Sequence, residues 1–170
     1  MPTTITGTDG VSQVQTGAVE SGDLPAGSVI QVVQATFSTV ITVSSTTYID
    51  IGLSASITPL NSQNKILIIN NLTGRLFTQQ NDDRRFDINI VRDSTQIHQA
   101  NTDFLQSGVG GGGFAVFPIF GSIVYLDSPD TVNTITYKTQ GKVNNNSSTT
   151  RLQINSAAST STITLMEIAG

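Results

Sequence analysis

The stretch Phe86-Asp87-Ile88-Asn89-Ile90-Val91-Arg92-Asp93-Ser94-Thr95-Gln96-Ile97 decides the fold class. Phe86, Ile88 and Ile90 alternate with Asp87 and Asn89. This period of two places apolar side chains on one face of a strand. Asp93 and Ser94 then supply turn chemistry, because short polar side chains hydrogen-bond their own backbone, so Val91 to Ile97 reads as a tight hairpin.

The same period recurs on both sides of the hairpin. Val33, Ala35, Phe37, Ile41 and Val43 share one parity, against Gln34, Thr36, Ser38 and Thr42. Ile49, Ile51 and Leu53 alternate with Tyr48, Asp50 and Gly52. Lys65 to Leu72 opens with the unbroken run Ile66-Leu67-Ile68-Ile69, which predicts a strand buried on both faces. Ser107 to Gly113 is a glycine-rich loop, and Phe114 to Leu126 is the most apolar stretch, interrupted by Pro118 and Gly121. Proline cannot donate to a ladder, so Pro118 implies an edge, a bulge or a kink. Ile135 and Tyr137 mark a further strand, Lys142 to Thr150 an exposed loop, Leu152 and Ile154 another strand, and Ile163, Leu165 and Ile168 the last. Eight to ten short strands without a convincing helix predict an all-β fold, with the strands packed as a two-sheet β-sandwich or closed as a barrel.

Composition agrees. The chain has 170 residues, enough for one domain and a tail, and only 12% are charged. Its polarity comes instead from hydroxyls and amides: 24 residues are Thr and 18 are Ser. Thr is β-branched and suits a pleated sheet. A net charge of -4, with the eight Lys and Arg scattered, argues against a nucleic-acid partner, which needs a basic face. Arg84-Arg85 is the one adjacent basic pair and reads as loop or edge-strand charge. Without cysteine there is no disulfide framework, thiolate metal site or Cys nucleophile. No apolar stretch has the length of a membrane span and the first ten residues do not resemble a signal peptide, so assembly in a host cytoplasm, away from membranes, is expected.

Residues 1–28 differ from 29–170. They hold five glycines and few bulky apolar side chains, too little to fold alone. They read as an extended N-terminal anchoring arm, ordered by a neighbouring subunit or a larger assembly, with folding back on its own domain as the alternative. Residues 29–170 form the sandwich domain.

Candidate chemistry is sparse. His98 is the sole histidine, and a Ser-His-Asp arrangement would need Ser94 and Asp93, which the hairpin turn already explains. His98 reads as a surface or interface residue. Asp82-Asp83 and Asp127-Ser128-Pro129-Asp130 are acidic loop clusters without the spacing of a calcium loop, and the second reads as a turn shaped by Pro129. Glu167, in Leu165-Met166-Glu167-Ile168, reads as an outward-facing strand residue, with a paired or interface acid as the alternative. Glycosidase chemistry needs two placed carboxylates, and the sequence picks out no pair. The glycines of 108–113 lack the Gly-Lys-Ser/Thr ending of a phosphate loop. The sequence therefore assigns no catalytic, cofactor-binding or metal-ligating residue, and a non-enzymatic role without a cofactor is expected.

Four segments carry a family resemblance. Ile90-Val91-Arg92-Asp93-Ser94-Thr95-Gln96-Ile97, Tyr125-Leu126-Asp127-Ser128-Pro129-Asp130-Thr131, Ile135-Thr136-Tyr137-Lys138-Thr139-Gln140 and Ser161-Thr162-Ile163-Thr164-Leu165-Met166-Glu167-Ile168 resemble, in that order, strands and turns of a group of tailed-bacteriophage structural proteins, especially from phages of aquatic bacteria and cyanobacteria. In the arm, Asp9-Gly10-Val11-Ser12-Gln13-Val14-Gln15 and Leu24-Pro25-Ala26-Gly27-Ser28-Val29-Ile30-Gln31 resemble phage fibre and decoration proteins. That group has Arg-Asp-Gly-Thr at the hairpin where this chain has Ser94, which puts a simple two-residue primed turn in doubt. The resemblance implies an antiparallel jelly-roll-like sandwich, a homotrimer, and a place on the virion surface. It implies no catalytic residues.

The leading expectation is a capsid decoration or cement protein whose arm staples neighbouring copies of the major capsid protein or other virion proteins. The runner-up is a tail fibre or receptor-binding protein, with loops 76–84, 100–113 and 142–150 against the host surface. A third reading is a carbohydrate-binding or glycan-cleaving module acting on a host-surface glycan, weakened by the absence of Trp.

Overall fold

A computed structural model describes residues 23–79, 85–102, 114–144 and 151–170. Ten strands follow one another: β1 (Val29–Phe37), β2 (Ile41–Val43), β3 (Ile49–Ile57), β4 (Lys65–Gln79), β5 (Phe86–Arg92), β6 (Thr95–Thr102), β7 (Phe114–Asp127), β8 (Ile135–Val143), β9 (Arg151–Ile154) and β10 (Ser161–Ile168). A 3₁₀ turn, Ser156–Ala158, follows Asn155, whose backbone is left-handed.

The strands pair as one nested antiparallel hairpin: β1 with β10, β2 with β9, β3 with β8, β4 with β7, and β5 with β6. Rolling that hairpin brings β10 and β9 against β4, and β8 against β5. The result is two packed sheets. One runs β1-β10-β4-β9-β2 with β7 on the far side of β4, and the other runs β3-β8-β5-β6. A rolled-up double-sheet hairpin is the jelly-roll arrangement.

The alternation read from sequence sets the core. Ile51, Leu53, Ile66, Ile68, Ile88, Ile90, Leu152, Ile154, Ile163 and Leu165 are all within 1% of complete burial, so both sheets present one apolar parity to the interior. Phe37 from β1 packs onto β3 at Gly52, where a β-carbon would lie 2.3 Å from the ring. Gly52 has φ of 85°, and the β3–β8 register slips between Asp50 and Ser54. The missing side chain and the bulge together admit the ring.

Two strands differ from their sequence reading. Ile66-Leu67-Ile68-Ile69 is not buried on both faces: Ile66 and Ile68 are core, whereas Leu67 and Ile69 are half-buried on the outside. The strand buried on both faces is β5, where Asp87, Asn89 and Val91 are covered as fully as Phe86, Ile88 and Ile90. The flanking strands supply partners for part of its polar parity: Lys142 of β8 reaches Asp87 at 3.2 Å and Asn89 Nδ2 donates to Gln96 Oε1 of β6 at 3.0 Å, while Asn89 Oδ1 is buried without a hydrogen-bond partner among the described residues.

Loop boundaries move too. Leu76 to Gln79 belong to β4, Ala100 to Thr102 to β6, and Lys142 and Val143 to β8. Residues 80–84, 103–113 and 145–150, including Asp82, Asp83, Arg84 and the glycine run, lie outside the described residues, as do residues 1–22 of the arm. The described end of the arm is stitched to the last strand: Gly27 N donates to Ala169 O and Ala169 N to Ser28 O, each at 2.9 Å. Pro118 sits in β7, an edge strand that pairs only with β4 among the described strands.

Candidate functional site

The functional side chains fall into two groups: buried acids inside the sandwich, and an apolar row on its outside. Glu167 is the first correction. It shares parity with Ile163 and Leu165 and points inward, with no exposed surface, while Met166 and Ile168 face away. Its carboxylate survives burial because fixed donors surround it. Oε1 accepts from Leu60 N at 2.7 Å and Asn64 Nδ2 at 2.6 Å, and Oε2 accepts from Gln31 Nε2. Gln31 also donates to Thr58 O at 2.8 Å, and Gly170 N donates to Asn64 Oδ1 at 3.2 Å. Glu167 thus clasps β1, the β3–β4 connection and the end of β10. Charge-assisted bonds to backbone and amide donors replace the water that the carboxylate gives up.

Asp127 is the second correction. The sequence places it in an acidic loop, but it ends β7 and turns inward at 5% exposure. Oδ2 accepts from Arg92 Nη1 at 2.8 Å and from the Tyr137 hydroxyl at 2.7 Å. Arg92 and Tyr137 lie on β5 and β8, so this one oxygen joins the two sheets. Burial, then the hydrogen bond and negative charge of Asp127, push the Tyr137 phenol well above its ordinary value. Tyr137 therefore remains a donor throughout the physiological range. Beyond Asp127, the segment to Asp130 is the β7–β8 turn, with Asp130 at φ 52°.

Asp127 and Glu167 both register with Ile66, one from each side. Their backbones are thus roughly 10 Å apart, two strand spacings. Each carboxylate is turned to its own partners and Ile66 fills the space between. That arrangement is a brace, and offers no water or sugar a place between two free carboxylates. A third link, Asn70 Nδ2 to Thr139 Oγ1 at 2.6 Å, crosses the core between the sheets.

The turn residues behave as the sequence indicates. Asp93 has φ of 53° and Ser94 does not share that sign, so the hairpin is not the turn with two left-handed central residues. Asp93 N donates to Thr136 O at 2.8 Å and its Oδ1 accepts from Thr136 N at 3.0 Å, which pins the turn to β8. His98, half-buried on β6, stacks on Tyr125 of β7 with ring centroids 4.8 Å apart. Its described neighbour is thus an aromatic ring across the open side of the sandwich, away from the Asp93-Ser94 turn. Among the described residues no three His, Cys, Asp or Glu side chains converge to hold a metal ion.

The second group escapes the sequence reading. On the outer face of the larger sheet, Val32, Met166, Leu67 and Leu126 stand in one row across β1, β10, β4 and β7. Ile69 and Val124 are paired in the next row but one along the strands, and Phe120 further along β7 is 81% exposed. The signal was present as apolar residues at both parities of Ile66–Ile69 and of Ile119–Leu126. It records two apolar faces, of which the fold buries only one.

No family model and no curated protein matches this chain. Among solved structures it is similar to the VP2 subviral particle of infectious bursal disease virus, over 82% of this chain and 33% of that chain, with 13% identity and a TM-score of 0.43. The Gx strain of the same virus aligns over 82% and 32%, with 11% identity and a TM-score of 0.36. The T13 particle of that virus aligns over 84% and 37%, with 12% identity and a TM-score of 0.35. The chain spans about a third of the length of these chains.

Proposed function

We propose that this chain is a structural protein of a tailed-phage virion, a capsid decoration or cement protein that forms a homotrimer and attaches to neighbouring shell subunits through residues 1–28. One contrast carries this reading: the buried acids Glu167 and Asp127 are bound to fixed structural donors, while a row of Val, Leu and Met side chains crosses the open outer face of the larger sheet. Such a molecule is equipped for contact. The jelly-roll pairing and the phage-like order of the segments around Asp93, Asp127, Tyr137 and Glu167 support it. The mechanism is mechanical: each subunit is held by its core, and repeated weak contacts add through effective concentration.

Cryo-microscopy and copy counting on purified virions test it. Copies in the hundreds over the head are expected. A handful at the tail would favour the fibre or receptor-binding reading, and absence from the particle would overturn both. Deleting residues 1–22 is expected to leave a folded, self-associating domain that no longer attaches to the particle. Full occupancy by the truncated chain would remove the arm from the proposal.

A further inference from the structure

We infer that the open side of the sandwich, between the edges of β6 and β7, is a socket for one apolar side chain carried on an extended, uncharged segment of another protein. The socket is a property of the fold and goes beyond the virion reading.

Three observations lead there. The first is where the two sheets end. Among the described strands, β6 is the last of the smaller sheet and β7 pairs only with β4. Their outer edges therefore present backbone N–H and C=O groups that no described strand receives. Near the β7–β8 turn the two edges are tied by Arg92 and Asp127 at 2.8 Å, and next by the stacked rings of His98 and Tyr125. Beyond those rings a cavity of about 120 Å³ opens between the sheets.

The second is what shapes the cavity. Leu72, Phe86, Ile88, Ile119 and Ile123 line it, each at most 8% exposed. No charged side chain is among its walls. Ala100, which pairs with Ile88, and Gly121, which lies between Ile119 and Ile123 on the inward parity, leave the space that larger residues would fill. At Gly52, Gly74 and Gly141 an added β-carbon would crowd the chain itself, whereas at Gly121 it would meet nothing within 4 Å. Gly121 is not left-handed either, so its backbone does not call for glycine. What the missing side chain supplies is room. A cavity of about 150 Å³ lined by Leu, Ile and Phe stays dry and takes up benzene, so this one suits a Leu or Phe side chain.

The third is the rim, which selects the carrier. Phe120 borders the cavity and is 81% exposed. Val116, Pro118, Ser122, Val124 and Leu126 share its outward parity on β7, and none is charged. An aromatic ring beside a dry pocket is the make-up of an interface anchor. A charged segment would give up water here without gaining a partner, and an uncharged one would not. The cavity holds only one side chain, while the free edges beside it offer main-chain hydrogen bonds. An extended peptide uses both, its backbone continuing an edge and one side chain filling the pocket. A free apolar molecule uses only the second.

Nuclear magnetic resonance titration of the full chain tests this with two probes, benzene and the uncharged heptapeptide acetyl-TVTLTVT-amide. Both are expected to shift the amide signals of Ala100, Gly121 and Ile123. Replacing the central Leu of the peptide by Asp should weaken its binding by about 10-fold or more, because the buried side chain supplies most of the contact. Gly121→Leu fills the cavity from within and should weaken both probes to a similar extent while circular dichroism shows a folded chain. Should that variant not fold, Ala100→Leu fills the same space from the opposite edge and carries the same expectation. Ser54→Lys, on the outer face of the smaller sheet, should change neither probe. Exclusion of both probes from the wild type, benzene binding without peptide binding, or undiminished peptide binding in the filled variants would each overturn the inference.

Discussion

On the outer face of the β3-β8-β5-β6 sheet, Lys142 reaches Asp87, Lys138 reaches Asp50, and Gln140 Nε2 donates to Asp50 Oδ1 at 2.7 Å. On the outer face of the β7-β4-β10-β1 sheet, a row of Val, Met and Leu side chains meets solvent. The same alternation builds both sheets, and both turn equally apolar parities to the core. The difference lies wholly in the second parity. One face joins its charged groups to one another within the subunit, while the other sets an apolar row among amides and hydroxyls such as Gln34, Thr164, Asn71 and Thr162, and that row gains by leaving water. That asymmetry separates the part of the molecule that holds itself together from the part available to hold something else.

The largest effect is expected where the two sheets are tied. Asp127→Ala leaves the buried Tyr137 hydroxyl without its acceptor and Arg92 without its carboxylate, and should cost about 3 kcal/mol in denaturant unfolding. A loss under ~1 kcal/mol would mean that the tie is dispensable. Next, Asp87→Ala on the self-satisfied face should cost about 2 kcal/mol, since it strands Lys142 over a buried position. Met166→Thr on the open face should change subunit stability by no more than about 0.5 kcal/mol, as expected for a surface site, yet reduce association about 10-fold. If Met166→Thr destabilised the subunit as much as Asp87→Ala, the two faces would not differ in kind.

The smallest effect concerns Asp50. The hydrogen bond from Gln140, against a smaller opposing effect of burial, and then Lys138, hold its carboxyl below the ordinary value. Its stabilisation is therefore present above the unfolded carboxyl's pKa of about 4 and is lost as pH falls through the lower folded value. Half of the side chain is exposed, so Asp50→Asn should cost only about 0.3 kcal/mol at neutral pH, and the difference should vanish in acid. Denaturant midpoints of the two proteins across pH 2–7 provide the measurement. A difference that grows in acid would reverse the sign.

Much of this was legible in the chain. The alternation around Ile51, Ile88 and Ile163 fixed strands and core faces, because a period of two has only one way to face a core. Pro118 limited its strand to an edge, a bulge or a kink, of which the described pairing realises the edge, and Asp93-Ser94 marked a turn. Glu167 reads as outward-facing or as a paired acid from its place in an alternating strand, and its parity with Ile163 and Leu165 turns it inward, where Leu60 N, Asn64 and Gln31 supply donors that no local pattern contains. Asp127, two positions before a proline, reads as a turn residue, whereas its inward direction depends on Arg92 and Tyr137, distant in sequence.

By itself, then, the sequence determined that the chain is all-β, where most strands lie, and which side chains share a face, since these follow from local backbone geometry and the burial of one parity. Tertiary structure alone decided which strands pair and which second face stays open. Leu67 and Asp87 illustrate the point. An apolar residue on the outer parity meets water because no strand packs above it, and an acid on the outer parity is covered because its neighbours reach across. Neither outcome is written in the local pattern, because burial belongs to the partners that folding brings alongside.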